Sequence, residues 1–79
     1  MVNTQKLIFL AKKEGMELKL VSRRGNIWDF DVSGGNINRV KIAQDKTGAN
    51  ANIYYGESSK SGINFKREED LINFMREYN

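Results

Sequence analysis

The sequence predicts an α+β fold: an N-terminal helix, a four-stranded antiparallel meander and a C-terminal helix, with both helices packed on one face of the sheet. Three observations lead there. Apolar residues recur at helical spacing near both ends, alternate with period two through the middle, and are interrupted in that middle by glycine-bearing turns. Two amphipathic helices and a sheet with one apolar face bury their apolar surface most simply as two layers.

Asn3 to Glu14 reads as the first helix. Asn3 is a candidate N-cap, Leu7, Leu10, Ala11 and Glu14 fall in one stripe with Ile8 beside it, and Gly15 ends the run. Lys12 and Lys13 occupy its last turn, where positive charge complements the helix dipole. Met16, Leu18 and Leu20 then form one face of a first strand, and Trp28, Phe30 and Val32 one face of a second. Setting Leu20 opposite Trp28, Leu18 opposite Phe30 and Met16 opposite Val32 leaves Arg23-Arg24-Gly25 as a three-residue loop. The same logic sets Phe30 opposite Val40 and Trp28 opposite Ile42, with Gly34-Gly35-Asn36 as the next loop.

A fourth strand, Ala51 to Tyr55, follows the turn Asp45-Lys46-Thr47-Gly48. A bulge at Gly48 would set Ile42 opposite Asn52, whereas the hydrophobic pattern prefers Ala51 opposite Ile42 and Ile53 opposite Val40. The pattern is preferred here, and which of Tyr54 and Tyr55 points inward stays open. Gly56 to Gly62 is Ser- and Gly-rich and reads as a loop. From about Lys66 to Tyr78, Leu71, Phe74, Met75 and Tyr78 make the best helical stripe in the chain, and Glu68, Glu69 and Asp70 fall in its first turn.

No repeat, low-complexity tract or linker interrupts the chain, so residues 1–79 are expected to be one domain. The 79 residues contain no His, Cys or Pro, which removes disulfides, thiol nucleophiles, Cys or His metal sites and imidazole chemistry. Hydrophobic residues make up 39% and charged residues 29%, ordinary globular usage. The longest apolar run, Leu7 to Ala11, is far too short to cross a bilayer, and no export signal is visible, so a cytoplasmic protein is expected. Thirteen Lys and Arg against ten Asp and Glu, with a pI near 9.3, permit contact with phosphate or with an acidic protein surface.

Asp29 and Asp31 alternate onto the outer sheet face about 7 Å apart, a spacing that could serve acid–base or metal chemistry. The predicted registers surround them with Lys19 and Lys41 beside Asp29 and Arg39 beside Asp31, so a lattice of cross-strand ion pairs is the preferred account. Ser58, Ser59 and Ser61 have no His and no second catalytic motif to work with, and Gly34-Gly35 lacks the spacing and following helix of a phosphate loop. No catalytic residue, metal site or cofactor is implied.

The basic residues are expected at two ends of the sheet, Arg23, Arg24 and Lys46 at one and Lys12, Lys13, Lys60, Lys66 and Arg67 at the other. The element order resembles that of double-stranded-RNA-binding domains and of small toxin domains built on the same plan. The resemblance is in order alone. Of the basic cluster that RNA-binding members carry at the last helix only Lys66 and Arg67 stand here, followed by Glu68, Glu69 and Asp70, and the toxin histidine has no counterpart. No family follows from it.

The expected function is that of a small non-enzymatic binding protein acting through protein–protein contacts, an inhibitor or accessory factor of the kind a phage or mobile element encodes. Arg and Tyr are frequent interface anchors, so the candidate partner-binding residues are Arg23, Arg24, Arg39, Lys41 and Tyr54. Trp28 is assigned to the core. The alternative is an RNA- or DNA-binding module using the basic loops and the same outer face. A homodimer through a sheet edge, at the fourth strand or the first, is a further expectation, since Asn50 and Asn52 guard the fourth strand little.

Overall fold

A computed structural model describes residues 2–79. Helix α1 (Thr4–Lys13) is followed by strands β1 (Glu17–Arg24), β2 (Ile27–Ser33), β3 (Ile37–Gln44), β4 (Ala49–Tyr55) and β5 (Ser58–Phe65), and by helix α2 (Glu68–Tyr78). The strands form one antiparallel sheet in the order β1-β2-β3-β4-β5. The α+β meander flanked by helices is as the sequence predicts, but the sheet has five strands rather than four. The predicted loop at Gly56–Gly62 is largely strand. Gly56, at φ +58, turns the chain within two residues, so that Ser58 opposes Tyr55 and Ser59 opposes Tyr54. Residues Ser58 to Gly62 are all exposed, which is why no alternation marks this strand until Ile63 and Phe65.

The β1–β2 register also differs from expectation. Leu18 opposes Val32, Leu20 opposes Phe30 and Arg23 opposes Trp28, with Val21 inserted as a bulge between Leu20 and Ser22. The turn is Gly25-Asn26, not Arg23-Arg24-Gly25, and both arginines are strand residues. Gly25 has φ +57 at the first central position, where a II′ hairpin turn carries glycine. Asn26 fastens the turn to β3: its carbonyl accepts from Gln44 N at 2.8 Å, and its side-chain amide donates to the Gln44 carbonyl. Those bonds favour the tighter turn over the three-residue loop.

The other registers follow the apolar pattern. Phe30 opposes Val40, Trp28 opposes Ile42, Ala51 opposes Ile42 and Ile53 opposes Val40. The Asp45–Gly48 turn therefore yields to the hydrophobic pattern, as preferred, while remaining well bonded: Asp45 Oδ1 accepts from Thr47 N at 2.9 Å and Gly48 N at 2.8 Å. A shift at Asn38 sets Arg39 opposite Tyr54 and Ile37 opposite Tyr55. Tyr55 packs against the core, and Tyr54 lies on the outer face beside Arg39.

One buried cluster draws on every element, including Leu7, Ala11, Leu18, Phe30, Val40, Ile42, Ile53, Phe65, Leu71 and Met75. Each of these side chains larger than alanine contributes about 1.5–3 kcal/mol by leaving water. Helix α1 neighbours β1 and α2, and α2 neighbours β4 and β5. The side chain of Asn3 caps α1 by accepting from Lys6 N at 3.0 Å. Glu14 lies outside the buried stripe and instead pairs with Arg76 of α2 at 2.9 Å. Helix α2 starts at Glu68 rather than Lys66, and the buried Glu68 carboxylate accepts from Asn3 N at 2.9 Å, joining the starts of the two helices.

Candidate functional site

The outer face of β2 and β3 is organised around Asp29. Alternation from the buried Trp28 and Phe30 turns Asp29 outward, and Lys41 stands opposite it on β3. Arg39, two residues along β3, reaches back diagonally and grips Asp29 with two bonds, Nε to Oδ1 at 2.8 Å and Nη2 to Oδ2 at 2.5 Å. The expected lattice is thus rearranged. Arg39 opposes Asp31 in the ladder but bonds Asp29, and the β1 register places Lys19 opposite Asp31 and Ser22 opposite Asp29.

The Arg39 bond holds the Asp29 carboxyl below its ordinary range, against partial desolvation and with help from the charges of Arg39 and Lys41. The guanidinium is correspondingly held in its charged form. A carboxylate tied down in this way is a poor general base. Among the described residues no three carboxylates converge in the manner of a metal site. Ser58, Ser59 and Ser61 are strung along β5, the sheet edge farthest from β1. Gly34 and Gly35 form the β2–β3 turn, close against Gly15 and Asn79.

Arg39 also stacks over Tyr54, its guanidinium carbon 5.1 Å from the ring centroid. Beside this unit a groove of about 320 Å³ is lined by Ser22, Arg24, Ile27, Asp29 and Lys41. Among the described residues neither Arg24 nor Lys41 makes an ion pair. The structure therefore gathers Arg24, Arg39, Lys41 and Tyr54 on one face.

Arg23 is not with them. The bulge at Val21 turns it to the inner side, where its guanidinium carbon lies 5.1 Å from the Trp28 ring centroid and covers the indole. Trp28 itself is 5% exposed, in the core as expected. Sequence reasoning missed Ile27, an exposed apolar side chain in the groove. Its signal was present, since Ile27 shares parity with Asp29.

A second groove, about 370 Å³, is lined by Val2, Gln44, Asp45, Lys46, Thr47, Gly48 and Lys66. It overturns the expected division of basic residues, because β5 carries the chain across the sheet once more and delivers Lys66 beside Lys46. Hydrogen bonds between Asn26 and Gln44 place the Arg24 end of β1 next to the same turn.

No protein-family model, curated protein sequence or solved structure matches this chain.

Proposed function

We propose that this is a non-enzymatic binding protein that acts by occupying an acidic surface on another protein through the outer sheet face, as an inhibitor or accessory factor of the kind phages and mobile elements encode. The observation that carries the reading is the groove of Arg24, Ile27 and Lys41: two cations that make no ion pair among the described residues flank an exposed apolar side chain, next to the fixed Arg39–Tyr54 pair. That combination has the composition of an interface anchor, with an apolar centre, Arg and Tyr. The reading takes both helices to cover the opposite face, which is supported by the burial of Leu7, Ala11, Leu71 and Met75 in the same cluster as Phe30 and Ile53. A cytoplasmic location accords with it, and among the described residues no helix is long and apolar enough to cross a membrane.

Tagged protein incubated with native lysate, with and without nuclease, tests the reading. A specific protein should be captured in both arms, and Arg24→Glu with Lys41→Glu should abolish capture while circular dichroism stays native. Capture unaffected by that double substitution would refute the outer face as the binding surface.

A second reading, nucleic-acid binding, is favoured by Lys46 and Lys66 lining one groove at the Arg24 end of the sheet. It requires that generic duplex binding fall steeply with salt and that nuclease remove the captured material. No binding to duplex or single strands at low salt eliminates it.

A further inference from the structure

The two edges of the sheet differ. Edge β5 exposes Ser58 to Ser61 and offers no large exposed apolar side chain. Edge β1 exposes Leu20 at 43% and Val21 at 50%, side by side at the bulge, on a strand with unpaired backbone groups along its free side. The expected fourth-strand edge does not exist, because β5 covers it.

We propose that β1 pairs antiparallel with β1 of a second copy of this chain, about a two-fold axis through the Leu20–Val21 step, joining the two sheets into one. The argument rests on face matching and charge. Partners on β2 assign Glu17, Lys19, Ser22 and Arg24 to the outer face, and Leu18, Leu20 and Arg23 to the inner face. A two-fold axis perpendicular to the sheet opposes Glu17 with Arg24, Leu18 with Arg23, Lys19 with Ser22, and Leu20 with Val21. Every flanking pair then shares a face.

The bulge makes this possible. In a regular strand the same alignment would oppose inward with outward residues throughout, whereas one inserted residue restores the match on both sides. Moving the register one residue pair toward the start of the strand loses it, because Lys19 then opposes Leu20, whereas moving it one pair toward the turn keeps the faces of the flanking pairs but sets Lys19 against Arg24, like charge against like. Charge selects the same register. Glu17 near one end of β1 meets Arg24 at the other end of its copy, twice by symmetry, and among the described residues neither makes an ion pair within the chain. The exposed Leu20 and Val21 of both copies meet at the axis. The pairing does not depend on the outer-face reading.

An eight-residue edge buries less than the roughly 800 Å² per partner of a standard interface, and the bulges interrupt its backbone bonding, so the dimer dissociates in the micromolar range or above. Sedimentation velocity on the full chain from about 10 μM to about 1 mM brackets that range. The mass should rise from 9.1 kDa toward twice that value. Val21→Lys should keep it monomeric. Glu17→Lys or Arg24→Glu alone should weaken association about tenfold, since two facing pairs become repulsive, and the double reversal should restore it. Arg24 also lines the outer groove, so these variants are read by mass and not by capture, with circular dichroism confirming the fold. A chain monomeric at about 1 mM, or a dimer indifferent to Val21→Lys and to both single reversals, overturns the proposal.

Discussion

Gly34→Ala offers the sharpest test of how the β2–β3 turn meets the end of α1. Gly34 has φ +106, beyond the narrow left-handed region that L-residues tolerate, and a Cβ there would lie 2.0 Å from the carbonyl oxygen of Gly15. That is about 1.5 Å short of an ordinary contact of roughly 3.5 Å. The obstructing atom is backbone, fixed between Gly15 N donating to Lys12 O at 3.0 Å and Met16 N donating to Ala11 O at 2.9 Å. Relief therefore disturbs the C-terminus of α1. Gly25 makes the matched control, with φ +57 and no atom within 4 Å of its added Cβ. Gly25→Ala should cost about 1–3 kcal/mol, the backbone penalty alone. Gly34→Ala adds overpacking of about 1–3 kcal/mol to a backbone penalty of about 1–3 kcal/mol, hence about 2–6 kcal/mol in all. A domain of 79 residues has only about 4–12 kcal/mol to lose. Urea unfolding followed by circular dichroism reads the difference. With a slope near 1 kcal/mol per M, each 2 kcal/mol moves the midpoint by about 2 M. Equal midpoints for the two variants would refute the close approach of Gly34 to Gly15.

Two further outcomes follow from the ion pair and the covered indole. Because Asp29 has a lowered pKa in the fold, its ionised form stabilises the protein above the ordinary carboxylate range, and that contribution disappears as pH falls through and below it. The difference in melting temperature between wild type and Arg39→Gln should thus be full near neutrality and shrink progressively from about pH 5 toward about pH 1; a difference independent of pH would count against the Arg39–Asp29 bond. Arg23→Ala should uncover Trp28, moving its emission to the red, raising iodide quenching, and costing about 0.5–1 kcal/mol of stability, whereas unchanged fluorescence would remove Arg23 from the inner side.

How much of this was legible from residues alone depended on how fully each strand face was buried. β2 and β3 could be aligned from sequence because Trp28, Phe30, Val40 and Ile42 are all buried and a one-residue slip would expose them. β5 could not be recognised, since only Ile63 and Phe65 of its eight residues are buried and the residues opposite Ile53 and Tyr55 are Lys60 and Ser58. β1 misled in a different way. Leu20 was paired with Trp28 on the assumption of unbroken alternation, and nothing in Leu-Val-Ser announces that Val21 is an inserted residue. At the site, the opposition of Asp29 and Lys41 could be read from register, but the diagonal reach of Arg39 could not, because a long side chain chooses among several carboxylates at similar distance.

The residue that most changes the surface is therefore one with no polar group. By adding a step to β1 without adding one to β2, Val21 reverses the face of everything after it as far as the Gly25-Asn26 turn. Arg23 is sent inward, where it shields Trp28, and Arg24 outward, where it meets Lys41 across the groove. Two adjacent arginines in a loop would both have faced solvent with similar roles. In the strand, one supports the core and the other makes no ion pair among the described residues. The same insertion leaves Leu20 and Val21 uncovered at the edge and makes β1 matchable to its own copy. The arrangement of the candidate groove and the proposed self-pairing of the β1 edge thus share one physical origin, a parity change in a single strand.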